Sequence, residues 1–173
     1  MVGDSHLQGL DRPMRSALRA RGYTHAGTVA RQGWNLRRFE VADDLTAVLR
    51  PMRPDVVIVV LGSNDYGVRS EARYLPRLTW LATAARRAGA RRIVWIGPGA
   101  VDDRPALART AATHDRVAEL QSSILPRLGV DWVDSRAVTR GRLRSDGLHL
   151  TPRGYHDWAS AVVGEMEACG AGH

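Results

Sequence analysis

Three short segments carry groups that could act together on an electrophile. Val2-Gly3-Asp4-Ser5-His6-Leu7 puts a serine in a turn leading from a strand towards a helix. A hydroxyl just past the C-terminal end of a central strand stands in the crevice where open α/β sheets hold ligands, and helix N-terminal amides beside it can stabilise developing negative charge. Val60-Leu61-Gly62-Ser63-Asn64-Asp65 ends a buried strand, and Asn64 offers a side-chain amide donor over the same sheet edge. Asp146-Gly147-Leu148-His149-Leu150-Thr151-Pro152 sets an aspartate and a histidine three residues apart, just before a helix. One turn can then bring the carboxylate beside the imidazole, fix its tautomer and leave the other ring nitrogen facing a nucleophile. Each segment alone reads equally as a turn or a helix cap. All three together are hard to explain that way.

Gly3-Asp4-Ser5, Gly62-Ser63-Asn64-Asp65 and Asp146-Gly147-Leu148-His149 resemble the first, third and fifth sequence blocks of the SGNH, or GDSL-like, hydrolase superfamily, in the family's order. Arg31-Gln32-Gly33-Trp34 stands where the second block falls, with Gly33 matching the oxyanion-hole glycine. The resemblance runs from Gly3 to His149 and implies a flavodoxin-like three-layer α/β/α sandwich without a large lid. It also implies roles: Ser5 Oγ attacks an ester carbonyl, His149 takes its proton as general base, and Asp146 orients the imidazole and stabilises its charge. The oxyanion would be held by the backbone N–H groups of Ser5 and Gly33 and the side chain of Asn64. Water then hydrolyses the acyl-enzyme, and no metal or cofactor is required. The expected partner is an ester on a small molecule, a glycan or a lipid. Short-chain carboxylic esters lead, with O-acetyl groups on a glycan among them, and lysophospholipase or thioesterase activity would use the same triad. A non-catalytic flavodoxin-like module binding an anion at helix N-termini would account for the basic charge but not for the joint presence of Ser5, Gly33, Asn64, Asp146 and His149.

Residues beside these segments are weaker candidates. His6 adjoins the expected nucleophile, and Trp34 and Tyr66 lie close to the oxyanion-hole positions, so all three are candidate substrate-binding residues. His25, His114, His156 and His173 show no metal-ligand spacing and are expected at the surface or in packing. Gly97-Pro98-Gly99 lacks the third glycine of a dinucleotide fingerprint and reads as a loop. Asp102 and Asp103 are expected to cap a helix near Pro105. Arg140-Gly141-Arg142-Leu143-Arg144, if extended, would turn three guanidinium groups to one side near the crevice; as a solvated loop it would do nothing.

The elements that must hold these groups alternate between strands and helices, the pattern of a mostly parallel sheet of four to five strands. Val56 to Leu61 is the clearest strand, apolar throughout and suited to burial on both faces. Arg92 to Ile96 and Val130 to Val133 follow, with a weaker strand around Tyr23 to Val29. Only Met1 and Val2 are left for a first strand. Helices are expected over Arg12 to Arg21, stopped by Gly22, over Leu75 to Arg87, stopped by Gly89, from near Pro105 to Leu128, and from Thr151 and Pro152 through Met166.

The 173 residues suit one domain with one core, spanning 1–173, and no apolar run nears the ~20 residues of a membrane span. The net charge is +7, and every basic side chain is an arginine. Without lysine, P-loop and Schiff-base chemistry are excluded. The arginines are scattered and aromatic residues make up only 6% of the chain, so nucleic acid is not an expected partner. Cys169 stands alone in a Gly/Ala-rich tail and is assigned no function. With a serine nucleophile at position 5 there is no room for a signal peptide, and a cytoplasmic protein is expected, or a secreted one if the N-terminus is trimmed.

Overall fold

The computed structural model describes residues 1–38 and 45–170, with the side chains of residues 169 and 170 excepted. Five strands form one sheet in the order β2-β1-β3-β4-β5, every pair parallel: β1 Val2–Gly3, β2 Val29–Ala30, β3 Val56–Val60, β4 Arg92–Ile96 and β5 Asp131–Val133. The α/β class with a parallel sheet flanked by helices agrees with the sequence pattern. β1 has just two residues, Val2 against Val29 and Val59, and Gly3 against Ala30 and Val60.

Side chains alternate across the sheet, as a period of two requires. Val57, Val59, Leu61, Ile93 and Trp95 pack on one face against α2 Leu45–Leu49, α3 Glu71–Arg87 and α4 Ala108–Ile124. Ile58, Val60, Val94, Ile96 and Val133 pack on the other face against α1 Ser5–Arg19 and α6 Pro152–Gly170. A further short helix, α5, spans Arg136–Thr139. Leu7, Leu10, Met14 and Leu18 recur at helical spacing along α1 and are buried. Full burial of such side chains contributes roughly 1.5–3 kcal/mol each.

Three elements differ from the sequence reading. α1 begins at Ser5 rather than near Arg12, because Asp4 caps it by accepting from the His6 N–H at 2.9 Å, and the buried spacing starts with Leu7. The weak strand around Tyr23 survives only at its end, where Val29 and Ala30 reach β1. The helix expected from Pro105 to Leu128 is α4 flanked by the 3-10 turns Pro105–Leu107 and Pro126–Leu128, since a proline has no N–H to continue an α-helical ladder.

Candidate functional site

The chain runs from β1 out to β2 and returns across to β3 on the other side, so the strand order reverses at β1. A crevice opens outside the carboxyl ends of the strands at such a reversal. Ser5 follows β1, Gly33 follows β2 and Asn64 follows β3, which puts all three at this edge. Asp146 and His149 come from the loop before α6. That loop is a short hairpin: Leu143 bridges Leu150, Arg144 N–H donates to the His149 carbonyl at 2.7 Å, and Thr151 N–H donates to the Arg142 carbonyl at 2.9 Å.

Ser5 Oγ lies 3.1 Å from His149 Nε2, and His149 Nδ1 lies 3.0 Å from Asp146 Oδ2. The other carboxylate oxygen of Asp146 accepts the backbone N–H groups of Leu148 and His149, each at 2.9 Å. Desolvation acts to raise the pKa of Asp146, but these two N–H donors and the imidazole outweigh it and hold the carboxyl at about 2. An ionised carboxylate can only accept, so Nδ1 carries the proton and Nε2 presents a lone pair to the Ser5 hydroxyl.

His6 is buried directly behind this pair. Its ring stacks on His149 with centroids 5.1 Å apart and meets Trp158 edge-on at 6.1 Å. Burial, reinforced by His149 and His114 and opposed by Asp146, pushes His6 down to about 3, so it stays neutral beside the His149 imidazole. It supports the ring from behind and is not part of an exposed pocket wall.

Asn64 spans the crevice edge. Its Nδ2 donates to Asp4 Oδ2 and to the Trp34 carbonyl, both at 3.2 Å, and its own carbonyl accepts from Asn35 Nδ2 at 3.2 Å. Both amide hydrogens therefore already have weak, long acceptors, and donation to a substrate oxyanion would exchange one of them. Gly33 sits in the turn closed by Trp34 N–H donating to the Arg31 carbonyl at 3.2 Å. Trp34 is half-buried under the Arg31 guanidinium, 4.5 Å from its ring centroid, while Tyr66 is 55% exposed. Asp4 is buried, and desolvation, with Asp65 adding to it, raises its pKa to about 7 against the hydrogen bonds from His6 and Asn64.

Two supports were not read from the sequence. Asp102 does not cap the helix near Pro105. Its carboxylate accepts from the Arg104 N–H at 3.0 Å, and its own N–H donates to the Gly147 carbonyl at 3.0 Å. Arg104 pairs with Asp102 at 3.1 Å and donates to the Ser145 carbonyl at 3.0 Å, so this loop grips the Asp146–His149 turn. His114 is buried, with Nδ1 2.9 Å from the Gly99 carbonyl and Nε2 3.2 Å from the Ser63 carbonyl, tying the loop after β4 to the one bearing Asn64. A pairing of Asp102 with Gly147, 45 positions apart, leaves no mark at short range in a sequence.

The arginine segment is extended only from Arg142 to Arg144, where it pairs in the hairpin, and not along its whole length. Gly141 turns the chain at φ +72°, and Arg142 is held by Asp157 at 2.9 Å. The run of alternating arginines is therefore broken between Arg140 and Arg142. His173 lies outside the described residues, as does the side chain of Cys169. Among the described residues no group of histidine, cysteine and carboxylate side chains could hold a metal, and no helix is long and apolar enough to cross a membrane.

Similar folds occur in several solved proteins. A lipase/acylhydrolase from Enterococcus faecalis is 20% identical, with 97% of this chain and 95% of that one covered and a TM-score of 0.70. A catalytic mutant of an acetylxylan esterase from Geobacillus stearothermophilus is 17% identical over 95% and 91%, with a TM-score of 0.74. A carbohydrate esterase family 3 protein from Talaromyces cellulolyticus is 18% identical over 98% and 95%, with a TM-score of 0.71. Among curated proteins, BcsX of Komagataeibacter xylinus is 27% identical over 128 residues; the match takes 69% of this chain but only 46% of BcsX. The sequence model of the GDSL-like lipase/acylhydrolase family matches residues 1–156, and the chain belongs to that family.

Proposed function

We propose that the protein is a serine esterase that hydrolyses short-chain carboxylic esters, with O-acetyl groups on a glycan as the natural class. The observation that carries this reading is the continuous chain from Ser5 Oγ through His149 to Asp146, with contacts of 3.1 and 3.0 Å. Ser5 attacks the ester carbonyl as His149 Nε2 removes its proton, and the imidazolium that forms is stabilised by the ionised Asp146. The oxyanion is met by the N–H of Ser5 at the start of α1, the N–H of Gly33 and the amide of Asn64. His149 returns the proton to the departing alkoxide, then activates water to release the acid. None of these steps calls for a metal or cofactor. The acetyl preference draws support from the acetylxylan and carbohydrate esterases among the proteins of similar fold.

A chromogenic ester series of increasing acyl length tests both parts. Turnover should be greatest for acetate and absent from Ser5→Ala, whose melting temperature should match the parent. An organophosphonate should label Ser5. Full activity in Ser5→Ala would end the proposal, and a maximum at long acyl chains would move the substrate towards lipids.

A further inference from the structure

A second cavity, of about 260 Å3, lies beside the oxyanion edge and is lined by Asn35, Arg37, Asp65, Tyr66, Arg73 and Arg77 among others. It shares its wall with the site: Asn35 holds the Asn64 carbonyl, and Tyr66 is two residues on from Asn64, at most about 7.6 Å away along the chain. Arg37 comes from the helical turn at 36–38 and Arg73 and Arg77 from successive turns of α3. An i, i+4 pair on one helix face points both side chains the same way.

Some arginines of this chain are answered by carboxylates, as in Arg127 with Glu71, Arg91 with Asp55 and Arg142 with Asp157. Among the described residues none of the three guanidinium groups at this cavity makes a salt bridge. Among the described residues the one carboxylate lining it, Asp65, is buried and accepts the Leu36 N–H at 3.1 Å and the Tyr74 hydroxyl at 2.7 Å, and the Arg77 charge acts on it as well. Even with Asp65 ionised, three guanidinium groups against one carboxylate leave positive charge in excess among the described lining residues, in a concave space where surrounding protein concentrates its field.

We propose that this cavity is an anion subsite that receives a carboxylate or phosphate borne by the alcohol portion of the ester. The inference rests on the short-acyl reading above, because a small acyl group leaves the alcohol scaffold as the part of the substrate long enough to reach from Ser5 past Asn64. It assigns the esterase a preference for acylated acidic scaffolds over neutral ones. The recognition is of charge, with two planar guanidinium donors from α3 and one from the turn at 36–38 able to bind an oxyanion bidentately.

The experiment compares three acetyl esters at low salt: an acetylated glucuronide, acetyl glycerol phosphate and an acetylated neutral methyl glycoside. The KM for at least one anionic ester should be about tenfold below that for the neutral one, and the gap should close near 0.5 M salt, where screening acts within a few ångströms. Which anionic ester gains decides between carboxylate and phosphate. Replacing Arg37, Arg73 and Arg77 together by Gln should abolish the gap and leave kcat and KM for the neutral ester unchanged. Arg73→Gln alone, at an exposed site, should narrow it. Equal effects on all three esters, or none on the anionic ones, would overturn the subsite. If no ester is hydrolysed, the esterase reading fails by itself. Calorimetric titration of Ser5→Ala with glucuronate and with inorganic phosphate still tests the cavity: binding that the triple replacement removes supports it, and no binding overturns it.

Discussion

Gly147→Ala set against Gly141→Ala separates what the backbone demands of the Asp146–His149 turn from what its neighbours demand. Both glycines have φ of +72°. An L-residue pays roughly 1–2 kcal/mol in this left-handed region, and the entropy taken from the unfolded chain returns about 0.4–1 kcal/mol of that. Gly141 has open space where a Cβ would stand. Its alanine variant should lose about 1 kcal/mol, or about 2–4 °C in Tm for a chain of this size, and keep its activity. At Gly147 a Cβ would run into Arg104 Nη2 and come within 2.5 Å of Leu107 Cδ1 and 2.8 Å of Asp102 Cβ. Overpacking of this kind adds about 1–3 kcal/mol. Either the Asp102–Arg104 loop gives way and Tm drops by about 6–12 °C, or the turn gives way and carries His149 with it. A shift of about 1 Å in a reacting group lowers the rate on the order of 100-fold. Thermal melts and kcat/KM on a short acetyl ester, measured on both variants, decide the matter. Matching Tm and matching kcat/KM would refute the claim that Asp102, Arg104 and Leu107 position the turn.

Three other outcomes are expected. Asn64→Ala should reduce kcat by ~100-fold or more with little change in KM, as for loss of one oxyanion donor; a near-normal kcat would mean that its amide serves only Asp4 and Trp34. His149→Ala should leave less activity than Asp146→Asn, because the imidazole performs both proton transfers while the carboxylate orients it; the reverse ranking in single-turnover rates would reject that division of labour. Asp4 is held at about 7, against 3.8 for a free carboxyl, so the folded form keeps a proton that the unfolded chain has already lost. Stability should therefore be undiminished below pH 4, fall as pH rises from about 4 to about 7, and level off above. Urea denaturation of Asp4→Asn should show this fall reduced relative to the parent, and parallel pH curves for the two would contradict it.

The groups that meet at the candidate site, Ser5, Asp146 and His149, were legible because each sits in a short segment whose residue types are rare in that combination, and the long strands were legible because Val56–Val60 and Arg92–Ile96 are apolar nearly throughout. Short elements were not. Leu45–Leu49 and Arg136–Thr139 offer a turn or so of helix each, too little for a period to show. The start of α1 was misjudged because Asp4 and Ser5 read first as a turn, and the cap shows only when the Asp4 carboxylate meets the His6 N–H. The brace on the Asp146–His149 turn, the stacking of His6 behind His149 and the double contact of His114 all join positions far apart in the chain. Nothing in local composition marks such pairs, and Asp102 looked like a helix cap because that is the commoner use of an aspartate before a proline-led helix.

α1 and α6 pack on the same face of the sheet, one beginning with the hydroxyl and the other following the imidazole, and 144 positions separate Ser5 from His149. During synthesis Ser5, the proposed nucleophile, thus emerges from the ribosome long before His149, its proposed base. A nascent chain can contain all five strands and the three helices α2, α3 and α4 of the opposite layer and still lack Asp146 and His149. Closing so long a loop costs little more entropy than closing one half its length, but the contact is non-local, and such contacts are slow to form. Regained hydrolysis in a refolding experiment should therefore trail the recovery of helical signal, reporting the docking of α6 against α1. In the finished molecule the pairing of Ser5 with His149 joins the start of α1 to the loop before α6, so a displacement of that loop would part the two with the sheet still intact.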